Sequence, residues 1–346
     1  MEKLNTEHHN PLLETRRLTT EFQSDEGNVR AVDRLSFSIY PGETLGIVGE
    51  SGCGKTATAL SLLKLIPHPS GKILEGEVIF QNEDLLNMSN EALQKIRGKE
   101  ISMVFQEPMT ALNPVHTIGK QVCEPLLLHK GLSKADAWAE ACNLLSRVGI
   151  GSPETRMHEY PHQLSGGMRQ RVSIAMALAC KPKLLIADEP TTALDVTIQA
   201  QILELLQSIQ KEYGMALMFI THDLGVVAEL CDRVIVMYGG KIVEEALVND
   251  LFEHPKHPYT QGLLKSMPSL DSKNKARLPT IKGQASDYQL IKDGCPFENR
   301  CYHARAQCKE LTPHLESVND QHHVRCLRWN EINSKALTED RELLYT

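Results

Sequence analysis

The sequence of 346 residues lacks the marks of a membrane-embedded or secreted protein. It has no uninterrupted apolar run close to the roughly 18 to 20 residues that a membrane-spanning helix needs, and its opening MEKLNTEHHN holds no signal-peptide core. Acidic residues outnumber basic ones by 44 to 37, and the net charge of −7 gives no electrostatic signature of binding to nucleic acid or anionic lipid. We therefore expect a folded cytoplasmic protein without a nucleic-acid partner.

The nine cysteines are unevenly spaced. Five stand alone, and four crowd into the last quarter of the chain: Cys295, Cys301, Cys308 and Cys326. These four form neither the C-x₂₋₄-C pairs usual in structural zinc sites nor a ferredoxin spacing, and a cytoplasmic location argues against disulfides. Three interpretations stay open: an iron–sulfur cluster, a zinc site, or metal-free thiols. The neighbouring His303, His322 and His323 could join a mixed site, although we expect them at the surface.

Short apolar runs alternate with helical patterns along much of the chain. The runs typical of strands buried on both faces are TLGIVG, ISMVFQ, KLLIADE, ALMFITHD and RVIVMY. Between them, Ser133 and Asp136 form a capping box before a helical face that reaches Val148, and a second helical pattern stops at Gly214. This alternation predicts an α/β core with a parallel sheet.

Three further regions differ from this core. Residues 12–40 read as β-rich segments joined by turn signals, and residues 107–179 lack any buried-strand pattern, so we predict a helical insertion there. The composition changes after about residue 250. The predicted domains are therefore 1–250, which includes the helical part at 107–179, and 251–346.

The stretch GESGCGKT, residues 49–56, matches the phosphate-loop pattern G-x-x-x-x-G-K-[ST] between a strand pattern and a helical run. Glycines let successive backbone N–H groups face one anion, and the following helix adds its positive amino end. We expect Lys55 to reach the β- and γ-phosphates and Thr56 to offer its hydroxyl to Mg²⁺. Cys53 is expected to fill the loop, with a reactive thiol as the alternative. The predicted nucleotide contacts here are Gly49, Glu50, Ser51, Gly52, Cys53, Gly54, Lys55 and Thr56.

Two adjacent acids, Asp188 and Glu189, end the strand pattern KLLIADE. Successive residues of a strand point in opposite directions, so one acid can hold the Mg²⁺ shell while the other polarises a water molecule. Two such acids alone usually mark a solvated strand end. Because a phosphate loop precedes them in the chain, we expect them to serve nucleotide chemistry.

Between these two motifs stands LSGGMRQR, residues 164–171, and at this point the chain resembles the ATP-binding subunits of ABC transporters. That family has, in order, a phosphate loop, a glutamine after a strand, an LSGGQ-like signature, an Asp-Glu strand, an ALD loop and a histidine. The matching positions are 49–56, Gln106, Leu164–Gly167, Asp188 with Glu189, Ala193–Asp195 and His222. Met168 departs from the pattern, since the signature often has Gln there. The resemblance covers about residues 12–250 and implies a P-loop NTPase of ABC type with an antiparallel β subdomain and a helical subdomain.

The resemblance implies a head-to-tail dimer in which each ATP lies between one phosphate loop and the other subunit's signature. Ser165, Gly166 and Gly167 would then receive a γ-phosphate from the facing subunit, whereas such a turn in isolation more often caps a helix. Asp188, Gln106 and Thr56 would surround the magnesium ion. Glu189 is the candidate general base, His222 would contact the γ-phosphate and position the water, and Gln106 would sense the metal and the attacking water.

Two further assignments follow from the family pattern and keep an alternative. Phe22 is the best match for the aromatic residue that stacks on adenine, although a phenylalanine in a β segment suits a core position equally well. Asp195 resembles the residue that links the two ATP sites across the dimer, and its alternative role is that of a helix N-cap.

HPYT at residues 257–260, followed by the four cysteines, resembles the C-terminal extension of oligopeptide and dipeptide importer ATPases. Some members of that subfamily carry a [4Fe–4S] cluster in this tail, so the resemblance favours that interpretation over zinc. It implies an ATP-driven motor for peptide uptake at the cytoplasmic face of the cell membrane. The implied partners are two transmembrane permease subunits, a substrate-binding protein and a second, related ATPase, with a second copy of this chain as the alternative to that ATPase.

Two other functions compete with this one. A soluble ABC ATPase of DNA repair or translation would usually carry long coiled-coil insertions or two fused halves, and this chain has a single set of motifs and no long heptads. Nickel and opine importers share the tail motif, and nothing in these residues distinguishes a peptide from a metal chelate as the cargo.

Overall fold

The computed structural model describes residues 10–24, 27–107, 111–192, 194–267, 280–284 and 293–332. The chain divides into two compact units. The first consists of Met1–Glu14, Ser38–Thr44 and Ile79–Ile220, and the second of Thr15–Phe37, Leu45–Val78 and Thr221–Thr346. The domain boundary that the sequence predicts near residue 250 falls inside the second unit.

The regular elements are numbered in chain order. The strands are β1 Leu13–Ser24, β2 Gly27–Ile39, β3 Thr44–Val48, β4 Gly71–Phe80, β5 Glu83–Asp84, β6 Ile101–Val104, β7 Leu184–Asp188, β8 Ala216–Thr221, β9 Arg233–Tyr238, β10 Lys241–Leu247, β11 Glu316–Asn319 and β12 His322–Val324. The helices are α1 Lys55–Leu62, α2 Asn90–Ile96, α3 Ile118–Lys130, α4 Lys134–Arg147, α5 Pro153–Arg156, α6 Gly166–Leu178, α7 Val196–Tyr213, α8 Leu224–Leu230, α9 Val248–Glu253, α10 Pro258–Lys265 and α11 Ala306–Glu310. Short 3₁₀ turns occur at Pro161–Gln163 and Glu298–Arg300.

In the first unit, β6, β7 and β8 lie side by side and run parallel. Ile101 is opposite Leu184, and Leu184 is opposite Ala216. Every residue of β7 and β8 is buried, which is why their sequences are continuous apolar runs and not alternating ones. The predicted parallel sheet is therefore confirmed in this unit.

The segment predicted as a helical insertion contains α3, α4, α5 and α6 and, among its described residues, no strand. Ser133 caps α4 by accepting a hydrogen bond from the backbone N–H of Asp136, as the capping box predicts. The buried side chains of α4 repeat at helical spacing, so this helix packs one face inward. Gly214, with φ of 60°, ends α7 as the sequence indicates.

The second unit contains β3 and β9, which run parallel, with Leu45 opposite Arg233. β10 pairs antiparallel with β9, β12 pairs antiparallel with β10, and β11 pairs with β12. Two strands from the C-terminal quarter therefore extend the sheet that begins with β3 and β9. The sequence does not predict β11 and β12, which are short and largely polar.

The N-terminal β-rich region forms a separate sheet in which β2, β1 and β4 are neighbours in that order. β1 and β2 are consecutive strands separated by two residues, so they form an antiparallel hairpin. The Thr15 hydroxyl fixes the pair because it accepts a hydrogen bond from the backbone N–H of Phe37 at 3.0 Å. The predicted antiparallel β subdomain is confirmed.

Aromatic side chains form the centre of the second unit's core. The ring of Tyr238 lies 4.8 Å from that of Tyr259 and 5.2 Å from that of Phe297, and the last two are 5.3 Å apart. These edge and tilted contacts bury large apolar areas and contribute about 0.5 to 1.5 kcal/mol each beyond that area. The cluster joins β9 to α10 and to the loop before the second 3₁₀ turn.

None of the helices in the described part of the chain is long and apolar enough to cross a membrane.

Candidate nucleotide-binding site

The loop at residues 49–56 lies between β3 and α1, as the phosphate-loop pattern requires. Three glycines have positive φ angles: 154° at Gly49, 80° at Gly52 and 108° at Gly54. A Cβ atom on Gly54 would stand 2.0 Å from the carbonyl oxygen of Ala31, so both backbone conformation and space require glycine there. Gly54 also provides no side chain to cap α1, which leaves the first N–H groups of that helix available to an anion.

Lys55 and Thr56 are the first two residues of α1, and their side chains differ in exposure. Lys55 is buried, and its Nζ donates to the carbonyl oxygens of Gly49 at 2.7 Å and Glu50 at 3.1 Å. Thr56 is exposed, so its hydroxyl is available to a ligand. Cys53 is 3% exposed, and burial raises the pKa of its thiol, which favours the predicted role of a small loop filler over that of a reactive thiol.

Glu50 makes contacts that the sequence does not indicate. Its carboxylate accepts two hydrogen bonds from the guanidinium of Arg300, at 2.6 and 2.9 Å. Its backbone N–H donates to the hydroxyl of Tyr259 at 2.8 Å. Tyr259 belongs to the HPYT motif, which offered a signal for its importance, whereas no local pattern marks Arg300.

In the first unit, Asp188 is the last residue of β7 and Glu189 follows it directly. Asp188 is fully buried, and Glu189 has a left-handed backbone with φ of 45°, which turns its side chain away from the direction of the strand. Oε2 of Glu189 accepts hydrogen bonds from Nε2 of Gln106 at 3.1 Å and from the hydroxyl of Thr192 at 2.9 Å. The structure thus brings the predicted Gln106 and Glu189 together and adds Thr192, which the sequence reasoning missed.

The signature motif also lies in the first unit. Ser165 caps α6 by accepting a hydrogen bond from the backbone N–H of Met168 at 3.3 Å. A Cβ atom on Gly167 would stand 2.8 Å from Cγ2 of Ile198, so glycine permits α6 to approach α7 closely. Ser165, Gly166, Gly167 and Asp195 line one open surface cavity of about 640 Å³, which is large enough for a group that arrives from outside.

The remaining predicted residues of the nucleotide site are Asp195, Ala193, His222 and Phe22. Asp195 caps α7 by accepting from the backbone N–H of Ile198 at 3.0 Å, so it fills the alternative role that the sequence offered. Ala193 of the same loop lies outside the described residues. His222 is exposed directly after β8. Phe22 is half-buried on β1 and lies against Gly71, where a Cβ atom would stand 2.8 Å from the ring.

His257, the first residue of the HPYT motif, stabilises the start of a helix. Nδ1 of His257 caps α10 by accepting a hydrogen bond from the backbone N–H of Tyr259 at 3.1 Å. Burial, with a smaller contribution from the charge of Arg325, lowers the pKa of His257 to about 3, so this imidazole is neutral. The buried carboxylate of Glu244 accepts from the backbone N–H of His257 at 2.9 Å and pairs with Nε2 of His322 at 2.8 Å. His322 is 2% exposed, so the expectation that it lies at the surface is wrong.

The four C-terminal cysteines line one small cavity, and all four are free. Burial raises the pKa of Cys295 to about 11 and that of Cys301 to about 12, so these thiols are protonated at neutral pH. The cavity measures about 20 Å³, close to the space of one water molecule and too small for a four-iron cluster with the side chains as they stand. Among the described residues, no group of three or more His, Cys, Asp or Glu side chains is arranged to hold a metal ion. The structure therefore does not support the expected iron–sulfur cluster or a zinc site.

Comparisons with known proteins agree with this geometry. Residues 32–192 match the family model described as ABC transporter, and residues 243–308 match the one described as oligopeptide/dipeptide transporter, C-terminal region. The chain is 51% identical to a probable peptide ABC transporter ATP-binding protein, y4tR, of Sinorhizobium fredii over 93% of this chain and 96% of that protein. It is 50% identical to the dipeptide transport ATP-binding protein DppD of Bacillus subtilis, over 91% of this chain and 94% of that protein.

Among solved structures, the dimeric ATP-binding cassette MJ0796 bound to ADP and Pi aligns with a TM-score of 0.62 at 30% identity. That alignment covers 68% of this chain and 98% of the cassette. Because it is about 50% identical, over more than 90% of its length, to proteins named as peptide transport ATP-binding proteins, the chain belongs to the family of ABC transporter ATP-binding proteins.

Proposed function

We propose that this chain is the ATP-hydrolysing motor subunit of an ABC importer for dipeptides and oligopeptides. The observation that carries the proposal is its identity of about 50%, over at least 90% of its length, to proteins named for dipeptide and oligopeptide transport. Both the ATPase region and the C-terminal region take part in that similarity. The motor does not itself need to touch the cargo, so the cargo assignment comes from the relatives and the ATPase assignment from the site.

The phosphate loop holds the nucleotide. Backbone N–H groups of the loop and of the first turn of α1 face the phosphates, and Lys55 shifts from its carbonyl partners to the β- and γ-phosphates. Thr56 and Asp188, with Gln106, hold Mg²⁺, a cation that prefers such oxygen ligands and screens the phosphate charge when bound. Phe22, half-buried on β1, supplies a ring for the adenine. The residues that contact the nucleotide in this proposal are Phe22 and Gly49 to Thr56.

Hydrolysis depends on Glu189 as general base. Its left-handed backbone and its hydrogen bonds from Gln106 and Thr192 fix the carboxylate at the end of β7. A fixed carboxylate can take the proton of an attacking water, which typically raises the reaction rate by about 10²- to 10⁴-fold. His222, exposed after β8, contacts the γ-phosphate and positions that water.

A second ATPase subunit completes each site. Ser165, Gly166 and Gly167 present the amino end of a helix of 13 residues to an open cavity, which suits a γ-phosphate held by the facing subunit. Asp195 lines the same cavity and links the two sites across the interface. We propose that the facing subunit is a related second ATPase. The motor binds at the cytoplasmic face of the membrane to two permease subunits, which receive peptide from a substrate-binding protein.

The cargo is tested by uptake in cells. A strain that lacks this gene should lose uptake of labelled dipeptides and oligopeptides, and the wild-type gene should restore it. A Lys55→Ala gene should not, because the loop then lacks its phosphate-binding ammonium. Normal peptide uptake with loss of nickel uptake would assign a metal-chelate cargo. Recovery of the chain with ribosomes or nucleic acid and without permease subunits would reject the transport function.

The iron–sulfur cluster of the four cysteines is a finer hypothesis with its own test. Four thiols that line one cavity support it, and the small volume of that cavity opposes it. An anaerobic preparation with a cluster is brown and loses its colour and iron when Cys301 is changed to Ser. A colourless preparation with four titratable thiols and no bound metal would reject it, and one zinc ion per chain would assign zinc.

A further inference from the structure

Glu50, the second residue of the phosphate loop, is held by the C-terminal extension of the same unit. Arg300 holds the side chain of Glu50, and Tyr259 holds its backbone. We propose that this extension sets the conformation of the phosphate loop, with Arg300 and Tyr259 as positioning residues for nucleotide binding. The inference rests on the proposed role of residues 49–56 as the ATP site.

The contact between Arg300 and Glu50 is bidentate. Nη1 donates to Oε2 at 2.6 Å and Nη2 donates to Oε1 at 2.9 Å. The side chain of Arg300 is 2% exposed and that of Glu50 is 29% exposed. Paired charges in this fork geometry form strong, directional hydrogen bonds, and the partial burial protects them from screening by solvent.

Arg300 is itself fixed in place. Its Nε donates to the carbonyl oxygen of Lys282 at 2.7 Å, and its guanidinium lies 5.7 Å from the ring centre of Tyr238 and 6.0 Å from that of Phe297. Burial alone would lower the pKa of Arg300, but the hydrogen bonds to Glu50 and Tyr238 raise it, so the group stays charged. A buried guanidinium that lost Glu50 would be left uncompensated, which makes this pairing costly to break.

Tyr259 fixes the backbone of the same residue. Its hydroxyl accepts the N–H of Glu50 at 2.8 Å, and its side chain is fully buried between the rings of Tyr238 and Phe297. Because the ring cannot move without disturbing that packing, the hydroxyl stays at one position. Glu50 is therefore held at both its side chain and its backbone by residues more than 200 positions away in the chain.

These contacts reach the phosphate-binding lysine through one carbonyl group. Nζ of Lys55 donates to the carbonyl oxygens of Gly49 and Glu50. Gly49 packs closely against β9, since a Cβ atom there would stand 2.3 Å from the carbonyl oxygen of Met237. Release of Glu50 would therefore displace one of the two oxygens that hold the ammonium group, and it would loosen the loop before the nucleotide arrives. ATP binding should weaken, while the chemistry at Glu189 should not change.

The experiment is a double-mutant cycle in the full chain and the assembled transporter. The variants are Arg300→Met, Glu50→Gln, the double variant, and Tyr259→Phe. Binding of a fluorescent ATP analogue gives Kd, and ATP hydrolysis gives KM and kcat separately. For Arg300→Met we expect Kd and KM to rise about tenfold with kcat within about twofold, since a bidentate charged contact is lost. Addition of Arg300→Met to Glu50→Gln should change Kd less than about twofold, because the two side chains act through each other.

Arg325→Met is the matched control. Arg325 is another largely buried arginine of the extension, and it donates to the carbonyl oxygens of Ile242 and Pro313. Its loss should lower the melting temperature without a change in KM. Tyr259→Phe keeps the ring and removes only the hydroxyl, so it should fold and raise Kd a few-fold even where Arg300→Met folds poorly.

Different outcomes separate the two proposals. Wild-type KM in both Arg300→Met and Tyr259→Phe would overturn the inference and leave the ATPase assignment intact. Independent, multiplicative effects in the double variant would also overturn it. A wild-type chain that neither binds nor hydrolyses ATP, or a Lys55→Ala variant that binds it normally, would instead reject the proposed nucleotide site and with it this inference.

Discussion

At the scale of single residues, the proposed chemical step depends on one carboxylate, that of Glu189. Gln106 and Thr192 both donate to the same oxygen, so the acid is oriented by neighbours that need only an acceptor. A glutamine at position 189 would keep an acceptor oxygen for both neighbours and lose only the basic carboxylate. Orientation and basicity can therefore be separated by a single substitution.

Glu189→Gln is expected to lower kcat for ATP hydrolysis by at least about 100-fold, because the base is removed, while ATP affinity stays near the wild-type value. Steady-state hydrolysis and nucleotide binding by the assembled transporter measure the two quantities. Glu100→Gln serves as the control, since Glu100 pairs with Lys183 at the surface of the same unit. Hydrolysis near the wild-type rate in Glu189→Gln would remove this residue from the chemical step.

His257 links stability to pH. Its pKa is about 3 in the folded protein, whereas its ordinary value is 6.5. Between pH 6.5 and pH 3, the imidazole is therefore protonated in the unfolded chain and neutral in the folded one. Stability should therefore be insensitive to this group above pH 6.5 and should fall as the pH drops from 6.5 toward 3, by about 1.4 kcal/mol per pH unit.

Urea unfolding at pH 7 and pH 5 should show this difference. His257→Asn keeps a side-chain acceptor for the cap of α10 and removes the titration, so its loss of stability over that range should be about 2 kcal/mol smaller than that of the wild type. Glu244, His322 and Arg325, which surround the site, are present in both proteins. Equal losses in the two proteins would show that His257 is not buried in the neutral form.

At the scale of elements, the phosphate loop is shaped by space as much as by sequence pattern. Gly54 and Gly52 both have positive φ angles, but a Cβ atom at Gly54 meets the backbone of Ala31, whereas one at Gly52 meets nothing within 4 Å. Backbone conformation alone therefore favours glycine at position 52, whereas both conformation and lack of space require it at position 54. A backbone carbonyl held in a sheet cannot move aside as a flexible side chain can.

Gly54→Ala should consequently destabilise the chain much more than Gly52→Ala, for which the conformational cost alone is about 1 to 2 kcal/mol. Thermal unfolding without nucleotide measures both. Similar melting temperatures for the two variants would mean that β2 yields at Ala31 and that the loop is less tightly packed than the structure shows.

Local patterns were sufficient for the five buried strands of the ATPase region and for helices such as α4. The runs that became β3, β6, β7, β8 and β9 are apolar because both faces of those strands are buried, and the cap at Ser133 directly precedes the helix that it begins. The same reasoning failed for His322. Its burial depends on Glu244, 78 residues earlier in the chain, and no periodicity in the tail carries that information.

At the scale of the whole molecule, the C-terminal quarter is not a separate appendage, because it contacts the phosphate loop. β12 pairs with β10, and Arg300 and Tyr259 reach Glu50 of the phosphate loop. The sequence identified the motif HPYT and the cysteines but could not show these contacts, since pairs 209 and 250 residues apart leave no local pattern. The predicted iron–sulfur ligands converge on one cavity, but its volume does not fit the cluster.

The central claim is that ATP joins two ATPase subunits, each of which supplies half of each binding site. The most direct measurement is a structure of the assembled transporter with Glu189→Gln and bound ATP and Mg²⁺, solved by cryo-electron microscopy. The Ser165 hydroxyl should then lie about 3 Å from a γ-phosphate oxygen of the nucleotide held by the facing subunit's phosphate loop. A structure with ATP bound at Lys55 and the Ser165 turn remote from any neighbouring subunit's nucleotide would contradict it.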